Sequence, residues 1–456
     1  MSEAIPIKDF LAHHSVPISP FTEEALASRF AGLHEKDFRY VSPWGQWFFY
    51  DGARWQPEKT KLATDKARLV CRDAAAQCNE PRTVMGILSK RVISAVESLS
   101  QSDRKIAATV DQWDSDIWSL NTPDGVLNLK TGKMRSHSQT DYFTKLTGAG
   151  PSGECPNWLK FLDRVTGNDV DLVTFLQRVT GYCLSGDVSA HALFFLFGTG
   201  ANGKSVFIDT VAGILADYQR TAPIETFTAT PGDRHPTDLA GLRGARLVTA
   251  VETEEGRRWA ESRIKTMTGG DRISARFMRQ DFFEYTPQFK LLIAGNHKPG
   301  LRSVDEAIRR RFHLVPFAVT IPKEERDPYL KDKLKSEWPG ILSWAVKGCL
   351  DWQRQGLNPP KAVTDATAAY LEQEDSLAAW ILECCETNPN SREGSLALFS
   401  NWKNWAEKTG EFAGTNKRFA QNLEARGFHR SRSNTGQGFL GLRLKETQSN
   451  YLPGSN

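Results

Sequence analysis

Apolar residues form two patterns along the middle of this 456-residue chain. Short apolar runs lie at 193–197, at 247–251 with Thr249 as the one polar residue, and at 291–294, which is typical of strands buried on both faces of a parallel sheet. After the first run, apolar residues recur at helical spacing over 206–215. The pattern predicts an α/β core with a parallel sheet.

The N-terminal part of the chain shows a different pattern. Aromatic residues are concentrated between Phe38 and Trp55, where Asp51-Gly52 is a typical tight-turn pair. This segment predicts a small antiparallel meander, whose rings form either an aromatic core or a surface on which bases stack. The aromatic core is the favoured interpretation. Apolar spacing predicts two helices after it, over 62–78 and 83–99.

The first apolar run leads into a glycine-rich sequence that fits the pattern G-x-x-x-x-G-K-[ST] without a mismatch. A strand before it and a helix after it are the context that this phosphate-binding loop requires. The glycines let backbone N–H groups approach phosphate oxygens, Lys204 reaches the β- and γ-phosphates, and the Ser205 hydroxyl binds Mg²⁺. The predicted ligands are ATP and Mg²⁺, and the predicted nucleotide-binding residues are Gly198, Thr199, Gly200, Ala201, Asn202, Gly203, Lys204, Ser205 and Val206.

The next two apolar runs end in polar residues that suit nucleotide hydrolysis. Glu252 and Glu254 follow the second run, and Asn296 follows the third. One carboxylate can order the magnesium shell while a second orients or deprotonates the attacking water. We assign Glu252 as a magnesium ligand together with Ser205, Glu254 to the water, and Asn296 to holding that water. A solvated loop is the alternative for the two glutamates, and a turn or cap residue is the alternative for Asn296.

Two arginine-bearing segments follow the acidic strand. Arg310 and Arg311 directly precede a predicted strand, where an arginine finger that reaches a neighbouring subunit's γ-phosphate is favoured, with Arg311 as the first candidate. The segment 272–285 alternates like two strands around residues 278–281, with Arg276 and Arg279 as predicted DNA contacts. It predicts a hairpin that either inserts into nucleic acid or carries solvated charges.

The C-terminal segment has the order helix, helix, strand, turn, strand, which predicts a winged-helix domain. Between positions 417 and 445, seven basic residues accompany a single acid, Glu424. Such clustering is typical of binding to a phosphate backbone, and a basic protein-docking domain is the alternative. The predicted DNA contacts here are Lys417, Arg418, Arg430 and Arg432.

Composition limits the remaining possibilities. The net charge of +4 is too small to indicate nucleic-acid binding by the whole surface, so any basic surface is local. No apolar run is long enough to span a membrane, and the first residues contain no signal-peptide core. Seven cysteines without C-x-x-C pairs favour reduced thiols in a cytoplasmic protein over a disulfide framework or a zinc module.

Composition changes and proline-rich breaks predict six units along the chain. They are an N-terminal accessory region (1–120), a helical domain (121–185), the ATPase core (186–325), a helical lid or linker (326–390), the winged-helix domain (391–446) and a disordered tail (447–456).

The motifs in this order resemble the superfamily 3 helicases of the phage, plasmid and poxvirus-type primase–helicase family. The residues that carry the resemblance are Gly198–Ser205, Glu252-Thr-Glu254, Lys265 with Thr268–Asp271, Asn296 and Arg310-Arg311. The resemblance implies an AAA+-like P-loop ATPase core that works as a hexameric ring, with each ATP site completed by the next subunit's arginine. It also implies a central hairpin that follows one DNA strand, with Lys265 and Arg279 in contact with DNA, in a bacterial or phage-encoded replication system.

Three functions remain open at this point. The first is a helicase acting on single-stranded or forked DNA, whose primase is lost or lies in another chain, because no primase signature precedes the ATPase motifs. The second is an ATP-gated factor that melts or loads an origin without processive unwinding. The third is a helicase–primase in which Asp114 and Asp116 hold a catalytic metal.

Overall fold

The computed structural model describes residues 19–229, 237–251, 257–279, 281–301, 304–433 and 436–445. Its helices are α1 (Glu23–His34), α2 (Leu62–Ala76), α3 (Pro81–Ile87), α4 (Lys90–Ser100), α5 (Pro156–Thr166), α6 (Val170–Leu184), α7 (Lys204–Leu215), α8 (Thr237–Ala240), α9 (Glu261–Gly269), α10 (Glu306–Arg309), α11 (Leu330–Ser336), α12 (Trp338–Gln355), α13 (Lys361–Gln373), α14 (Ser376–Cys384), α15 (Ser395–Thr409) and α16 (Asn416–Ala425). Within these ranges no helix is long and apolar enough to cross a membrane.

The strands belong to five sheets, of which one has five strands and the others two or three. They are β1 (Phe38–Val41), β2 (Gln46–Tyr50), β3 (Trp55–Pro57), β4 (Ser119–Thr122), β5 (Gly125–Asn128), β6 (Lys133–Arg135), β7 (Leu193–Phe197), β8 (Gln219–Thr221), β9 (Leu247–Val251), β10 (Ile273–Ala275), β11 (Phe283–Tyr285), β12 (Lys290–Gly295), β13 (Phe312–Pro316), β14 (Cys385–Gly394), β15 (His429–Ser433) and β16 (Gly436–Leu444).

The five-stranded sheet has the order β13–β7–β12–β9–β8, and every neighbouring pair in it is parallel. Its strands β7, β9 and β12 contain the three apolar runs of the sequence. A strand covered on both faces needs apolar side chains on both faces, which is why the runs are nearly continuous. The mixed α/β architecture with a parallel sheet is therefore confirmed, and it fits a P-loop-like core.

Alternate residues of the sheet pack into two separate apolar cores, as the period of two in a strand requires. On one side, Phe194 and Leu196 pack with α5, α6, α7 and α12. On the other, Leu193 and Phe195 pack with α9, the β10–β11 hairpin and α13. The first core also includes Leu120 from β4, so residues before the phosphate-binding loop pack in the same core as the sheet.

The segments predicted as long helices are divided where the chain supplies helix-start signals. The predicted helix at 83–99 is two helices, because Ser89 caps α4 by accepting a hydrogen bond from the Val92 N–H. The segment after Pro360 divides in the same way, since Asp375 caps α14. Pro339 lies in the first turn of α12, where proline is tolerated, so that helix begins separately from α11.

The N-terminal meander forms mainly a core. Trp47, Phe48 and Trp55 are buried, whereas Trp44 is 39% exposed. The Arg243 guanidinium lies 5.6 Å from the Trp44 ring and 5.3 Å from the Phe283 ring of β11. This cation–π contact joins the meander to the hairpin of the ATPase region.

The C-terminal residues form a compact unit with its own apolar core, in which Trp380, Leu398 and Phe419 are buried. Its three-stranded sheet has the order β14–β16–β15. The two helices and final two strands agree with the sequence pattern. Strand β14 was not predicted, because its residues are mostly polar and exposed, and only its pairing with β16 defines it.

Arg246 fixes the edge of the sheet at which the strands begin. Its buried guanidinium donates to the carbonyl oxygens of Leu184 at 2.8 Å, Ser119 at 2.7 Å and Asp116 at 3.0 Å.

We expect Arg246→Met to lower the free energy of unfolding by about 3 kcal/mol, because these oxygens lose their donor. Urea denaturation tests this; Arg354→Met, at an exposed arginine of α12, should change it by under about 0.5 kcal/mol, and equal losses would contradict the assignment.

Candidate functional site

The glycine-rich loop joins β7 to α7, as the sequence predicts. Gly203 has a φ of 86° and caps α7, so the helix begins at Lys204. A Cβ at Gly203 would lie 2.5 Å from the Val165 side chain of α5, and one at Gly198 would lie 2.3 Å from the Phe317 carbonyl oxygen. Both positions therefore need glycine, because close packing on two sides leaves no room for a side chain.

Lys204 lies at the centre of the loop and is only 6% exposed. Its Nζ donates to the Gly198 carbonyl oxygen at 2.6 Å, the Asn202 Oδ1 at 3.0 Å and the Asn296 Oδ1 at 3.1 Å. The predicted phosphate-binding lysine and the predicted water-holding asparagine are thus brought together.

The site opens into a cavity of about 280 Å³ at the carboxyl edge of the sheet. Residues 200–206, Val251, Ala294, Gly295 and Asn296 line it. Strand register explains this, because Gly295 pairs with Phe197 and Ala294 pairs with Val251, so β7, β12 and β9 end together. Ligands in parallel α/β sheets bind at this edge.

The residues present fit a nucleoside triphosphate and its magnesium ion. The loop N–H groups at the start of α7, the Lys204 ammonium and the exposed Ser205 hydroxyl supply donors, positive charge and a metal ligand. Thr199, Ala201 and Val206 complete the loop. Glu252 and Glu254 come directly after Val251 of β9, but they lie outside the described residues, so their roles stay predictions.

The two predicted finger arginines lie at the other edge of the sheet. Arg311 directly precedes β13, and its carbonyl oxygen accepts a hydrogen bond from the Leu193 N–H at the start of β7. Lys204 follows the end of β7, and a five-residue strand spans roughly 15 Å. Neither arginine is therefore placed to reach a phosphate bound by the Lys204 of its own chain.

Arg310 and Arg311 differ in their surroundings. Arg311 is 6% exposed, and its guanidinium donates to the Thr268 Oγ1 at 3.1 Å and the Ala307 carbonyl oxygen at 2.7 Å. Arg310 is exposed. The sequence made Arg311 the first candidate for a finger; exposure makes Arg310 the better placed of the two for contact with another chain.

The predicted hairpin is present, with β10 paired antiparallel to β11. Its connecting segment exposes Phe277 (41%), Met278 (68%) and Phe282 (58%), and the Arg276 guanidinium lies 4.6 Å from the Phe282 ring. Arg279 is exposed with a φ of 60°, which a residue other than glycine adopts rarely. The hairpin therefore presents both cations and apolar side chains to its surroundings.

The predicted DNA-binding residues outside the hairpin are partly engaged within the chain. Lys265 forms an ion pair with Asp305 at 2.5 Å. In the C-terminal unit, Arg418 lies 4.0 Å from Glu261 of α9, and Arg430 lies 2.7 Å from Glu424. Lys417 and Arg432 are exposed. Acidic side chains therefore offset part of the positive charge of these predicted DNA contacts in the folded protein.

Comparison with known proteins gives two family matches. Residues 27–167 match a family described as "D5 N terminal like", and residues 196–311 match a "Family of unknown function (DUF5906)". The second range covers the phosphate-binding loop, Asn296 and Arg311. The first range lies before the phosphate-binding loop along the chain.

Curated viral proteins match over about half of the chain. A protein of Acanthamoeba polyphaga mimivirus is 25% identical over 258 residues, which are 52% of this chain and 27% of that protein. A protein of Frog virus 3 (isolate Goorha) is 26% identical over 255 residues, which are 51% of this chain and 26% of that protein. Both are named "Putative helicase", and the chain spans about a quarter of the length of each.

The two family matches and the viral relatives support the phage and viral primase–helicase family that the motifs resemble. The resemblance predicted from its motifs is confirmed. Among solved structures, the apo form of the NrS-1 C-terminal region (305–718) is similar, with a TM-score of 0.49, 10% identity, and coverage of 92% of this chain and 99% of that chain.

Sequence reasoning missed the second role of Asn202. Besides accepting from Lys204, its Nδ2 donates to the Phe317 carbonyl oxygen at 2.9 Å, which ties the loop to the end of β13. The position is unspecified in the loop pattern, so no sequence signal distinguishes it.

The Asp114 carboxylate, considered as a metal ligand, accepts instead from the Lys145 ammonium at 2.6 Å and the Thr144 N–H at 2.9 Å.

Proposed function

We propose that this chain is an ATP-driven DNA helicase of phage or other mobile-element replication, built on an AAA+-like core of the superfamily 3 type. The observation that carries the proposal is the position of Lys204 and Arg310 at opposite edges of one sheet. A phosphate site that needs both groups requires two chains, which favours a ring, and a hexamer is the proposed assembly.

The names of the viral relatives support the helicase assignment in general terms. Because this chain spans about a quarter of each of those proteins, their activities as whole proteins are not transferred to it directly. The cavity and its buried lysine supply the independent argument. A phosphate loop beside a strand end with Asn296 is suited to hydrolysis as well as binding.

Each residue of the site has a proposed role in hydrolysis of ATP. The loop N–H groups and Lys204 bind and orient the β- and γ-phosphates, and Ser205 and Glu252 hold Mg²⁺, which neutralises phosphate charge when bound. Glu254 and Asn296 orient the attacking water. Arg310 of a neighbouring subunit stabilises the charge that develops on the transferred phosphoryl group.

The hairpin is the proposed contact with single-stranded or forked DNA. Arg276 and Arg279 pair with phosphates, while the exposed rings of Phe277 and Phe282 stack on bases. The unit α14–β14–α15–α16–β15–β16 is proposed as a winged-helix domain, with Lys417 and Arg432 as its contacts to the DNA backbone. A primase supplied by another chain is the proposed partner in replication.

We expect the double variant Arg276→Ala/Arg279→Ala to weaken single-stranded DNA binding about tenfold or more and to reduce the salt dependence of that binding, because two phosphate contacts are lost. Fluorescence anisotropy of a labelled oligonucleotide over a salt series measures both. Arg272→Ala is the matched control, since Arg272 lies at the base of the same hairpin beside Glu284. Equal effects from control and double variant would contradict a specific role for the turn.

The function is tested by the ATPase rate of the size-separated oligomer with and without single-stranded DNA, together with unwinding of a forked duplex. Stimulation by DNA with displacement of long duplexes supports a helicase. Hydrolysis with only local opening supports an ATP-gated loading or melting factor instead. An ATPase rate that is the same with and without DNA, together with no strand displacement by the oligomer, would overturn the proposal.

A further inference from the structure

Helix α9 contacts both ends of the short helix α10, which precedes the exposed Arg310. At the start of α10, the Lys265 ammonium pairs with the Asp305 carboxylate at 2.5 Å. Asp305 also caps α10, because its Oδ1 accepts from the Ile308 N–H at 2.8 Å. After the end of α10, the Arg311 guanidinium donates to the Thr268 hydroxyl at 3.1 Å.

The two contacts form a single clamp. Lys265 and Thr268 are three residues apart on α9 and therefore share one face of that helix. Arg311 also donates to the Ala307 carbonyl oxygen within α10, which ties the guanidinium to the helix as well as to Thr268. We call Lys265, Thr268, Asp305 and Arg311 the α9–α10 clamp.

Burial fixes the Thr268–Arg311 side of this clamp, whereas opposite charges hold the partly exposed Lys265–Asp305 side. Thr268 is 2% exposed and Arg311 is 6% exposed. Burial by itself would raise the pKa of Asp305, but hydrogen bonds from Lys265 and the Ile308 N–H, with the positive charges of Lys265 and Arg311, hold that pKa below its ordinary value. Asp305 is therefore a carboxylate at neutral pH.

The clamp lies between the two elements that the proposed function needs to couple. At one end, α9 leads through Gly270 into strand β10 of the hairpin. At the other, α10 ends one residue before Arg310. A movement of the hairpin on DNA is transmitted to Arg310 only if α9 and α10 move together.

We propose that Lys265 and Thr268 are positioning residues that couple the hairpin to Arg310, so that DNA binding in one subunit sets the arginine presented to its neighbour's ATP site. This inference rests on the proposed function. It gives Lys265 a different role from the DNA contact that the family resemblance implies. The two roles predict different effects of changing Asp305, the partner of Lys265 in the ion pair. If Lys265 contacts DNA, a change at Asp305 has no effect on DNA stimulation, because a carboxylate does not bind phosphate. If Lys265 positions α10, the same change lowers DNA stimulation.

The test compares Lys265→Met, Asp305→Asn and the double variant in the full-length oligomer. Asparagine is a good N-cap, so Asp305→Asn removes the charge and keeps the start of α10. We expect each single variant to lower the DNA-stimulated kcat about tenfold, with no further loss in the double variant, because both remove one interaction. Affinity for single-stranded DNA and its salt dependence are expected to remain as in the wild type.

Two results would overturn the coupling alone, and a third would overturn the proposed function as well. If Lys265→Met weakens DNA binding and lowers the salt dependence by about one ion while Asp305→Asn has no effect, Lys265 contacts DNA instead. If the losses of the two single variants add, the residues act independently. A wild-type ATPase that ignores DNA overturns the proposed function, and the coupling with it.

Thr268 provides a second, independent test. We expect Thr268→Val to lower DNA stimulation because its side chain cannot accept the Arg311 hydrogen bond, and Thr268→Ser to restore it. Thr266→Val is the matched control, since Thr266 lies on the same helix and its hydroxyl donates only to the Ser262 carbonyl oxygen among the contacts shown. Loss in Thr268→Ser equal to that in Thr268→Val would show that packing, not the hydrogen bond, is responsible, and would overturn the assignment.

Discussion

Lys204→Ala is expected to reduce ATP hydrolysis at least about a hundredfold, because the only cation that the described loop places in the cavity is lost. The same change removes the three hydrogen bonds that the Lys204 ammonium donates to the Gly198 carbonyl oxygen, the Asn202 Oδ1 and the Asn296 Oδ1. Steady-state phosphate release at saturating ATP, with binding of a fluorescent nucleotide measured in parallel, separates lost chemistry from lost binding.

Lys331→Ala is the matched control for this change. Lys331 is 68% exposed and pairs with Asp209 of α7, the helix that Lys204 begins. A surface pair of this kind contributes at most about 1 kcal/mol, so hydrolysis should stay near the wild-type rate. Substantial turnover by Lys204→Ala would show that the phosphate-loop assignment is wrong.

Arg310→Ala is expected to leave ATP binding nearly intact and to reduce hydrolysis about a thousandfold, because an arginine finger stabilises charge that appears only in the transition state. Arg311→Ala is also expected to lose hydrolysis, but with a lower unfolding temperature, because Arg311 is buried against Thr268. The comparison measures the ATP hydrolysis rate, the nucleotide affinity and the thermal unfolding temperature of both variants.

Mixing chains tests whether the arginine acts between subunits. In a mixture of Lys204→Ala and Arg310→Ala chains, some interfaces combine the intact loop of an Arg310→Ala chain with the intact arginine of a Lys204→Ala chain. ATP hydrolysis should therefore recover partly. Arg309→Ala serves as the control, since Arg309 faces Asp375 of its own chain and Asp375 keeps its second partner, Arg426. Mixed oligomers without any recovery would argue that Arg310 acts within one chain or not at all.

Much of the nucleotide site could be predicted because its determinants are local. A glycine-rich loop needs particular residues at fixed spacing, and nearly continuous apolar runs identify its flanking strand and two further strands of the sheet. The parallel sheet then brings Asn296 to Lys204, since parallel strands that begin together also end together. The hairpin around Arg279 follows from alternation in the same way.

The arginines show the limit of that reasoning. Arg310 and Arg311 are adjacent and carry the same charge, so the sequence offers no reason to prefer the exposed residue. Burial of Arg311 depends on Thr268, which is more than forty positions earlier in the chain. The basic excess near Lys417 is similar, because Glu261 approaches Arg418 only in the folded molecule.

The sequence alone determined the parallel α/β core, the phosphate-binding loop and the family resemblance, because each depends on residue types at short, fixed spacing. The tertiary structure decided that Lys204 and Arg310 lie at opposite edges of the sheet, and that α9 clamps α10. Those relations depend on strand direction and on contacts between distant segments, and no local pattern specifies which partners packing will bring together.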